Sequence, residues 1–344
     1  MILRIASYIL LFVILSSCGG GGGSSIENTN NSITQPPNNP FIYIPPSTTS
    51  TDNCVAKSQP VANSWHEDFN SNELNINDWS YDEGCNDNGG GCNGNNEAQN
   101  YTSNDSDNLF IEDGYLKIQP IYEQNTGSDG VNQQYTSAKI YTKDKKLFTY
   151  PAKISICFKV PEGTGMWPAI WMMPNADVPW PTGGEIDLME ARGRAALANV
   201  VGSAVHFGEV WPNNKYISQN VNSAVGNDFQ TYFHSITFIW QEDKIEMYLD
   251  QESSPFFSVT PNSYLLNQYD YPFNSSFYMI LNVAVGGHFD NYALDSSHFC
   301  IDADCTNFLD NPDKKRMTID WIEYLPISNS VSYTHLTLPT RLSV

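Results

Sequence analysis

The sequence predicts an all-β protein built as an antiparallel β-sandwich, and three observations support this fold class. Short apolar runs rich in Tyr, Phe and Trp, which favour strands, recur along the 344-residue chain. Gly, Pro, Asn and Asp separate these runs at the spacing of sandwich strands. No sustained helical period appears. The length allows one large all-β domain or two smaller ones.

The first residues predict export. Arg4 precedes an apolar run over residues 5–15, which is shorter than the ~20 apolar residues of a membrane-spanning helix and is typical of a signal peptide. Cys18, after Leu-Ser-Ser, resembles the lipid-modified cysteine of a bacterial lipobox, and a plain secretory signal with an incidental cysteine is the alternative. Gly19 is not the Asp that marks inner-membrane retention in many lipoproteins. We therefore expect anchoring to the outer membrane, at the cell surface or the periplasmic face, or secretion.

The other six cysteines are an even number, which in an exported chain predicts disulfides. Loop geometry favours Cys85 with Cys92 across a Gly/Asn-rich loop, and Cys300 with Cys305 across another. Cys54 and Cys157 are left over, and Cys157 fits a buried thiol in a strand as well as a disulfide. The spacings lack the CxxC pairs typical of zinc sites.

The formal net charge of -21 bears on the class of partner. A nucleic-acid groove requires clustered Lys and Arg, so this class is disfavoured. A polyanionic substrate would be repelled, which ranks neutral polymers first, although an acidic surface also favours solubility in an exported protein.

Residues 185–190, Glu-Ile-Asp-Leu-Met-Glu, place three carboxylates in an apolar, strand-like run. Strand alternation puts Glu185 and Asp187 on one face, and a β-bulge at Met189 would return Glu190 to that face. Carboxylates this close raise one another's pKa values, so one stays protonated near neutrality. Glycoside hydrolysis needs such a protonated acid beside an ionised one. An acidic edge strand or a calcium site remains an alternative if the run is considered alone.

The neighbouring motifs favour hydrolysis. They occur in this order: Trp65–Asn70, Gly94–Tyr101, Gly165–Trp171, the acidic run, Val205–Gly208, Trp211–Asn214, Phe277–Gly287 and Met317–Ile322. Together they resemble laminarinase-like members of glycoside hydrolase family 16, over roughly Ser64 to Leu325. The resemblance implies a concanavalin-like jelly roll with a concave substrate cleft. It also implies an endo-acting, retaining β-1,3-glucanase.

Each acid then receives a role. Glu185 is the expected nucleophile, Glu190 the acid/base, and Asp187 the group that orients and tunes Glu185. The same strand pattern in a hydrolase for mixed-linkage glucan, agarose or carrageenan is the main alternative. A non-catalytic glucan-binding module would lose the acids, so their presence argues against it.

Substrate-binding candidates surround these acids. By alternation Trp167 and Trp171 point the same way, into the cleft or into the core, and the resemblance places both in the cleft. Trp180 would add a wall, and Asn96 would bind a sugar hydroxyl. His206 would lie near Glu190, and a structural histidine is the alternative.

Three further expectations follow from the resemblance. Lys139 and Lys153 stand where the family commonly has Arg, and lysine lacks the planar fork of arginine. A structural calcium ion would be held by Asp68, Gly114 and Asp320, with simple capping of strand ends by the two acids as the alternative. No organic cofactor is required.

We therefore expect four segments: 1–17 as a lipoprotein signal peptide, 18–60 as the anchor cysteine and a disordered linker, 61–327 as the catalytic domain, and 328–344 as an atypical tail. The tail resembles translated sequencing-adapter read-through, and we assign it no function. The expected partner is a β-glucan, with contact to the membrane through the anchor only, and the protein is expected to be a monomer.

Overall fold

The structure is a computed structural model that describes Tyr43 and residues 53–86 and 91–327. Its strands, in chain order, are β1 (Trp65–Glu67), β2 (Ser80–Tyr81), β3 (Gln99–Tyr101), β4 (Leu109–Glu112), β5 (Tyr115–Ile118), β6 (Ile121–Thr126), β7 (Asn132–Ser137), β8 (Lys139–Tyr141), β9 (Ala152–Lys159), β10 (Met166–Pro174), β11 (Glu185–Glu190), β12 (Val200–Gly208), β13 (Asn214–Asn222), β14 (His234–Gln241), β15 (Lys244–Leu249), β16 (Phe257–Val259), β17 (Phe277–Val285) and β18 (Met317–Pro326).

Helical structure among the described residues is limited to short 3-10 turns. These are Cys92–Gly94, Ala195–Leu197, Leu266–Gln268, His288–Asp290, Ser296–His298, Thr306–Phe308 and Pro312–Lys315. None of the helices in this part of the chain has the length and apolar character needed to span a membrane.

Two large antiparallel sheets form the sandwich and confirm the predicted fold class. The eight-stranded sheet runs β16-β15-β14-β9-β18-β5-β4, with β1 paired to β18. The seven-stranded sheet runs β13-β12-β11-β10-β17-β8-β2. A small third sheet, β3-β7-β6, contains the parallel pair β3 and β7. β14 and β15 form a hairpin that is closed by the pair Gln241 and Lys244.

Alternation along the strands sends one face of each large sheet into a common core. In β10, Ile170 and Met172 are buried in this core, whereas Trp167 and Trp171 lie half-buried on the opposite face. Each large apolar side chain that is fully buried stabilises the fold by about 1.5–3 kcal/mol. We call the face of the seven-stranded sheet that points away from the core the open face.

Tyr43 and the described residues from 53 onward, which precede β1, pack on the eight-stranded sheet, on the side away from the core. The backbone N–H of Val55 donates to Ser235 Oγ at 3.0 Å, and that of Ser58 donates to the buried Glu323 carboxylate at 2.8 Å. Tyr43 packs against Tyr248 in the same sheet. The described part of the expected linker is therefore ordered, because its buried groups find partners on this sheet, and the fold begins before residue 61.

All three disulfides are present: Cys85–Cys92, Cys300–Cys305 and Cys54–Cys157. The last joins the segment before β1 to β9, so Cys157 is a bonded cysteine and not a free buried thiol. Cys18, the signal peptide and residues 328–344 lie outside the described residues.

Candidate active site

A β-bulge in β11 brings the three acids onto the open face. Asp187 pairs with Ala204 of β12 and Glu190 with Gly202, so Leu188 and Met189 together oppose a single residue. Both bulge residues are buried in the core. The bulge lies where the sequence predicts it, although the register with β10 leaves Leu188 unpaired and pairs Met189 with Ile170.

His206 lies beside the acids from the neighbouring strand. It pairs with Glu185 across β11 and β12, and its Nε2 is 3.3 Å from Asp187 Oδ2 and 3.7 Å from Glu185 Oε1. Ligand-type atoms of these three residues all lie within 4.8 Å of one another. His206 therefore contacts Asp187 and Glu185, whereas the resemblance placed it near Glu190.

The three candidate tryptophans all donate hydrogen bonds on the open face. The indole N–H of Trp180 donates to Glu185 Oε2 at 2.7 Å, and that of Trp167 donates to Glu190 Oε1 at 2.9 Å. Trp171 donates to Asn282 Oδ1 at 2.7 Å. Two of the three acids are thus held by indole groups, and an indole can also stack on a sugar ring.

The cluster retains protons near neutrality. Burial raises the pKa of Asp187 well above its usual value, and the neighbouring Glu185 adds to this increase. Burial also raises the pKa of Glu190, while the hydrogen bond from Trp167 opposes that increase. Burial lowers the pKa of His206, but Asp187 and the other carboxylates outweigh it and raise the pKa to about 9. The site therefore contains protonated groups beside ionised ones, as acid/base chemistry requires.

Asn96 reaches the Trp167 end of the open face. Its Nδ2 lies 2.9 Å from His288 Nε2, in the turn that follows β17. In the same turn, Phe289 stacks on Trp167 with ring centroids 4.6 Å apart, and the Arg192 guanidinium lies 3.9 Å from the centroid of the Phe289 ring. Sequence reasoning missed Phe289, Arg192, His288 and Asn282. For Asn282, the single polar residue in the apolar strand β17 was an available signal.

The two lysines that replace arginine have different surroundings. Lys139 pairs with Asp82 at 2.7 Å, and its ammonium lies 5.7 Å from the centroid of Trp171 on the open face. Lys153 pairs with the buried Glu323 at 2.7 Å in the eight-stranded sheet. Only Lys139 is therefore placed to affect substrate preference.

The expected calcium ligands belong to the eight-stranded sheet and its turns. Asp68 follows the end of β1, and Gly114 lies in the turn before β5. Asp320 lies within β18, between the stretches that pair with those two strands. However, Lys57 Nζ lies 2.8 Å from Asp68 Oδ1 and already neutralises that carboxylate. Calcium binding stays a prediction, and a rise in melting temperature with added Ca²⁺ would test it.

Comparison with known proteins agrees with this geometry. Residues 93–323 match the model of the glycosyl hydrolases family 16. The chain is 36% identical over 253 residues to the glucan endo-1,3-beta-glucosidase A1 of Niallia circulans, a match that covers 70% of this chain and 36% of that protein. It is also 36% identical over 231 residues to the glucan endo-1,3-beta-glucosidase of Cryptopygus antarcticus, which covers 65% of this chain and 80% of that protein.

The fold resembles that of solved structures. The endo-beta-1,3-glucanase of Pyrococcus furiosus superposes with a TM-score of 0.65 at 30% identity, over 76% of this chain and 92% of that one. The likeness therefore extends over nearly the whole of that enzyme.

Proposed function

Because this chain belongs to family 16 of the glycosyl hydrolases and is a glycoside hydrolase, we propose that it is an endo-acting β-1,3-glucanase that retains the anomeric configuration. The observation that carries the proposal is the bulged strand β11, which sets Glu185, Asp187 and Glu190 on the open face among indole groups. The named functions of the relatives from Niallia circulans and Cryptopygus antarcticus support β-1,3-glucan as the substrate.

In the first step, Glu185 attacks the anomeric carbon and the glycosidic C–O bond breaks, while Glu190 gives its proton to the leaving oxygen. The Trp180 indole orients the attacking carboxylate by its hydrogen bond to Oε2. Burial raises the pKa of Glu190, which favours the protonated carboxyl that this role needs. His206, which lies between Asp187 and Glu185, balances the charge of Glu185 as an imidazolium.

In the second step, Glu190 is ionised and takes a proton from water, which attacks the glycosyl ester on Glu185. The ester bond breaks, Glu185 leaves as a carboxylate, and Glu190 is again protonated. Two displacements at one carbon give net retention, and retaining enzymes hold the two carboxyl groups about 5–5.5 Å apart.

Glu185→Gln tests the proposal. We expect the loss of laminarin cleavage with unchanged near-UV circular dichroism, because the amide keeps the shape of the side chain but cannot form the ester. The exposed Glu252 offers a matched control, since Glu252→Gln should keep full activity. Full activity in Glu185→Gln would refute the assignment.

A substrate panel separates the alternatives. Reducing-sugar release from laminarin, lichenan, agarose and κ-carrageenan should be highest for laminarin. Faster release from another polymer would show that the enzyme, with the same catalytic strand, acts on the linkage of that polymer. The observation that favours this alternative is Lys139 beside Trp171, because a lysine in place of the family's arginine can alter substrate preference.

We also propose that the protein is exported and anchored through a lipid on Cys18. The three disulfides support an oxidising compartment. Labelled palmitate should enter the wild-type protein in a bacterial host and not the Cys18→Ala variant; equal labelling of both would refute the anchor.

A further inference from the structure

The open face continues past the acids as a low floor on β12. Glu190 pairs with Gly202, and Asp187 pairs with Ala204. Gly202 has no side chain and Ala204 has only a methyl group, so β12 adds little bulk beside the acids at these two positions, whereas His206 fills the next open-face position of the strand. β13, the next strand of the sheet, borders this floor on the side away from β11.

Strand β13 is the edge of the sheet and forms a rim along this floor. Tyr216 pairs with His206, Ser218 with Ala204, and Asn220 with Gly202. The rings of His206 and Tyr216 are 5.6 Å apart, which places Tyr216 on the open face. A Cβ atom on Gly202 would lie 2.7 Å from Asn220 Oδ1, so the Asn220 amide covers Gly202 on the open face.

The intervening residues point to the other side of β13. Ile217 and Val221 are partly buried and pack against the main core. The strand is therefore fixed from below, while its open-face side chains stay exposed.

The chemistry of this rim fits a neutral sugar. Edge strands are commonly protected by charged residues, but Tyr216, Ser218 and Asn220 are all uncharged. The Ser218 hydroxyl and the Asn220 amide can form hydrogen bonds with sugar hydroxyls. The Tyr216 ring can pack on the apolar face of a pyranose. The Tyr216 side chain is available for this, because the residue is 59% exposed.

We propose that Gly202, Ala204, Tyr216, Ser218 and Asn220 form an additional glucosyl-binding subsite that extends the cleft across β12 to the edge strand β13. The inference rests on the proposed function. A sugar ring lies over Ala204 and beside the Asn220 amide, which covers Gly202. Ser218 and Asn220 bind its hydroxyls, and Tyr216 packs against the chain.

Steady-state kinetics on laminarin tests the subsite. We expect Tyr216→Ala and Asn220→Ala each to raise KM about tenfold, as loss of one stacking or polar contact implies. The turnover number should stay near that of the wild type, because neither change touches the acids. Tyr216→Phe keeps the ring and should keep a near-normal KM. Tyr264, which is 81% exposed and follows β16 of the other sheet, gives the matched control Tyr264→Ala with no effect.

The outcomes distinguish the subsite from the proposed function. An unchanged KM in both alanine variants of an active enzyme overturns the subsite alone. A lower kcat with unchanged KM also overturns it, because the residues would then act only through His206. If the wild-type enzyme leaves laminarin uncut, the proposed substrate is wrong, and the same kinetics on whichever polymer of the panel it cleaves decides the subsite.

Discussion

At the residue scale, the two carboxyls proposed for catalysis differ because their surroundings differ. Glu185 accepts a hydrogen bond from Trp180, and Glu190 accepts one from Trp167. Burial raises the pKa of Glu190, so its proton persists to a higher pH than on an exposed glutamate.

This difference predicts a pH dependence. As pH rises through the raised pKa of Glu190, the proton is lost and kcat/KM for laminarin should fall. An aryl laminaribioside whose leaving group needs no protonation should lack this alkaline decline. Glu190→Gln should lower kcat on laminarin by about 10²–10⁴-fold. The measurement is the pH dependence of kcat/KM for both substrates, from acid to alkaline pH. An equal alkaline decline for both substrates would show that another group, not Glu190, causes it.

Local sequence reveals some residues of the site and not others. The acids were predictable because all three occur within one strand, where alternation sets the face of Glu185 and Asp187 and one extra residue accounts for Glu190. Phe289 and Arg192 were not, because their contact joins positions 97 residues apart in the chain. Such contacts depend on which strands become neighbours, and short-range patterns do not contain that information.

At the element scale, the bulge in β11 has its own support. Ser203, buried on β12, donates its hydroxyl to the carbonyl of Leu188 at 2.6 Å. This bond fixes the backbone at the point where the strand gains its extra residue.

Ser203→Ala should therefore affect both stability and turnover. We expect the free energy of unfolding to fall by about 1 kcal/mol, because a buried carbonyl loses its partner. We also expect kcat to fall more than KM rises, since Glu190 lies two residues beyond the bond. Ser155→Ala is the matched control: Ser155 Oγ lies 3.0 Å from Thr237 Oγ1 in the other sheet, so its loss should lower stability alone. Urea unfolding and laminarin kinetics of both variants make the comparison, and equal kinetic effects would contradict this role.

The strands themselves were easier to predict than the order in which they lie side by side in the sheets. The hairpin β14–β15 follows from two alternating runs and a short turn, all local features. The floor and rim of β12 and β13 become visible only when the register places Gly202 between Glu190 and Asn220. The same limit applies to Leu188, whose lack of a partner in β10 depends on pairing across strands.

At the scale of the whole molecule, the disulfides differ in the length of chain that they close into a loop. The sequence separation is 103 for Cys54–Cys157 and 5 for Cys300–Cys305. Closing a long loop restricts the unfolded chain more, with about 5 kcal/mol expected for the long loop and about 2 kcal/mol for the short one.

The double variant Cys54→Ala/Cys157→Ala should thus lose about 3–5 kcal/mol of unfolding free energy, and Cys300→Ala/Cys305→Ala clearly less. Activity at 25 °C should stay unchanged in the first variant, because this bridge lies in the sheet opposite the open face. Denaturant unfolding under oxidising conditions provides the measurement. Equal losses in the two variants would show that loop length does not govern their stability.

The segment before β1 also determines how the enzyme can be handled. Tyr43, Cys54 and Ser58 hold this segment on the back of the eight-stranded sheet, with the whole sandwich between it and the acids. A fusion partner, affinity tag or bead joined ahead of Tyr43 would thus attach behind the molecule. Immobilisation through that end should leave the cleft facing the solution and open to long polysaccharide chains.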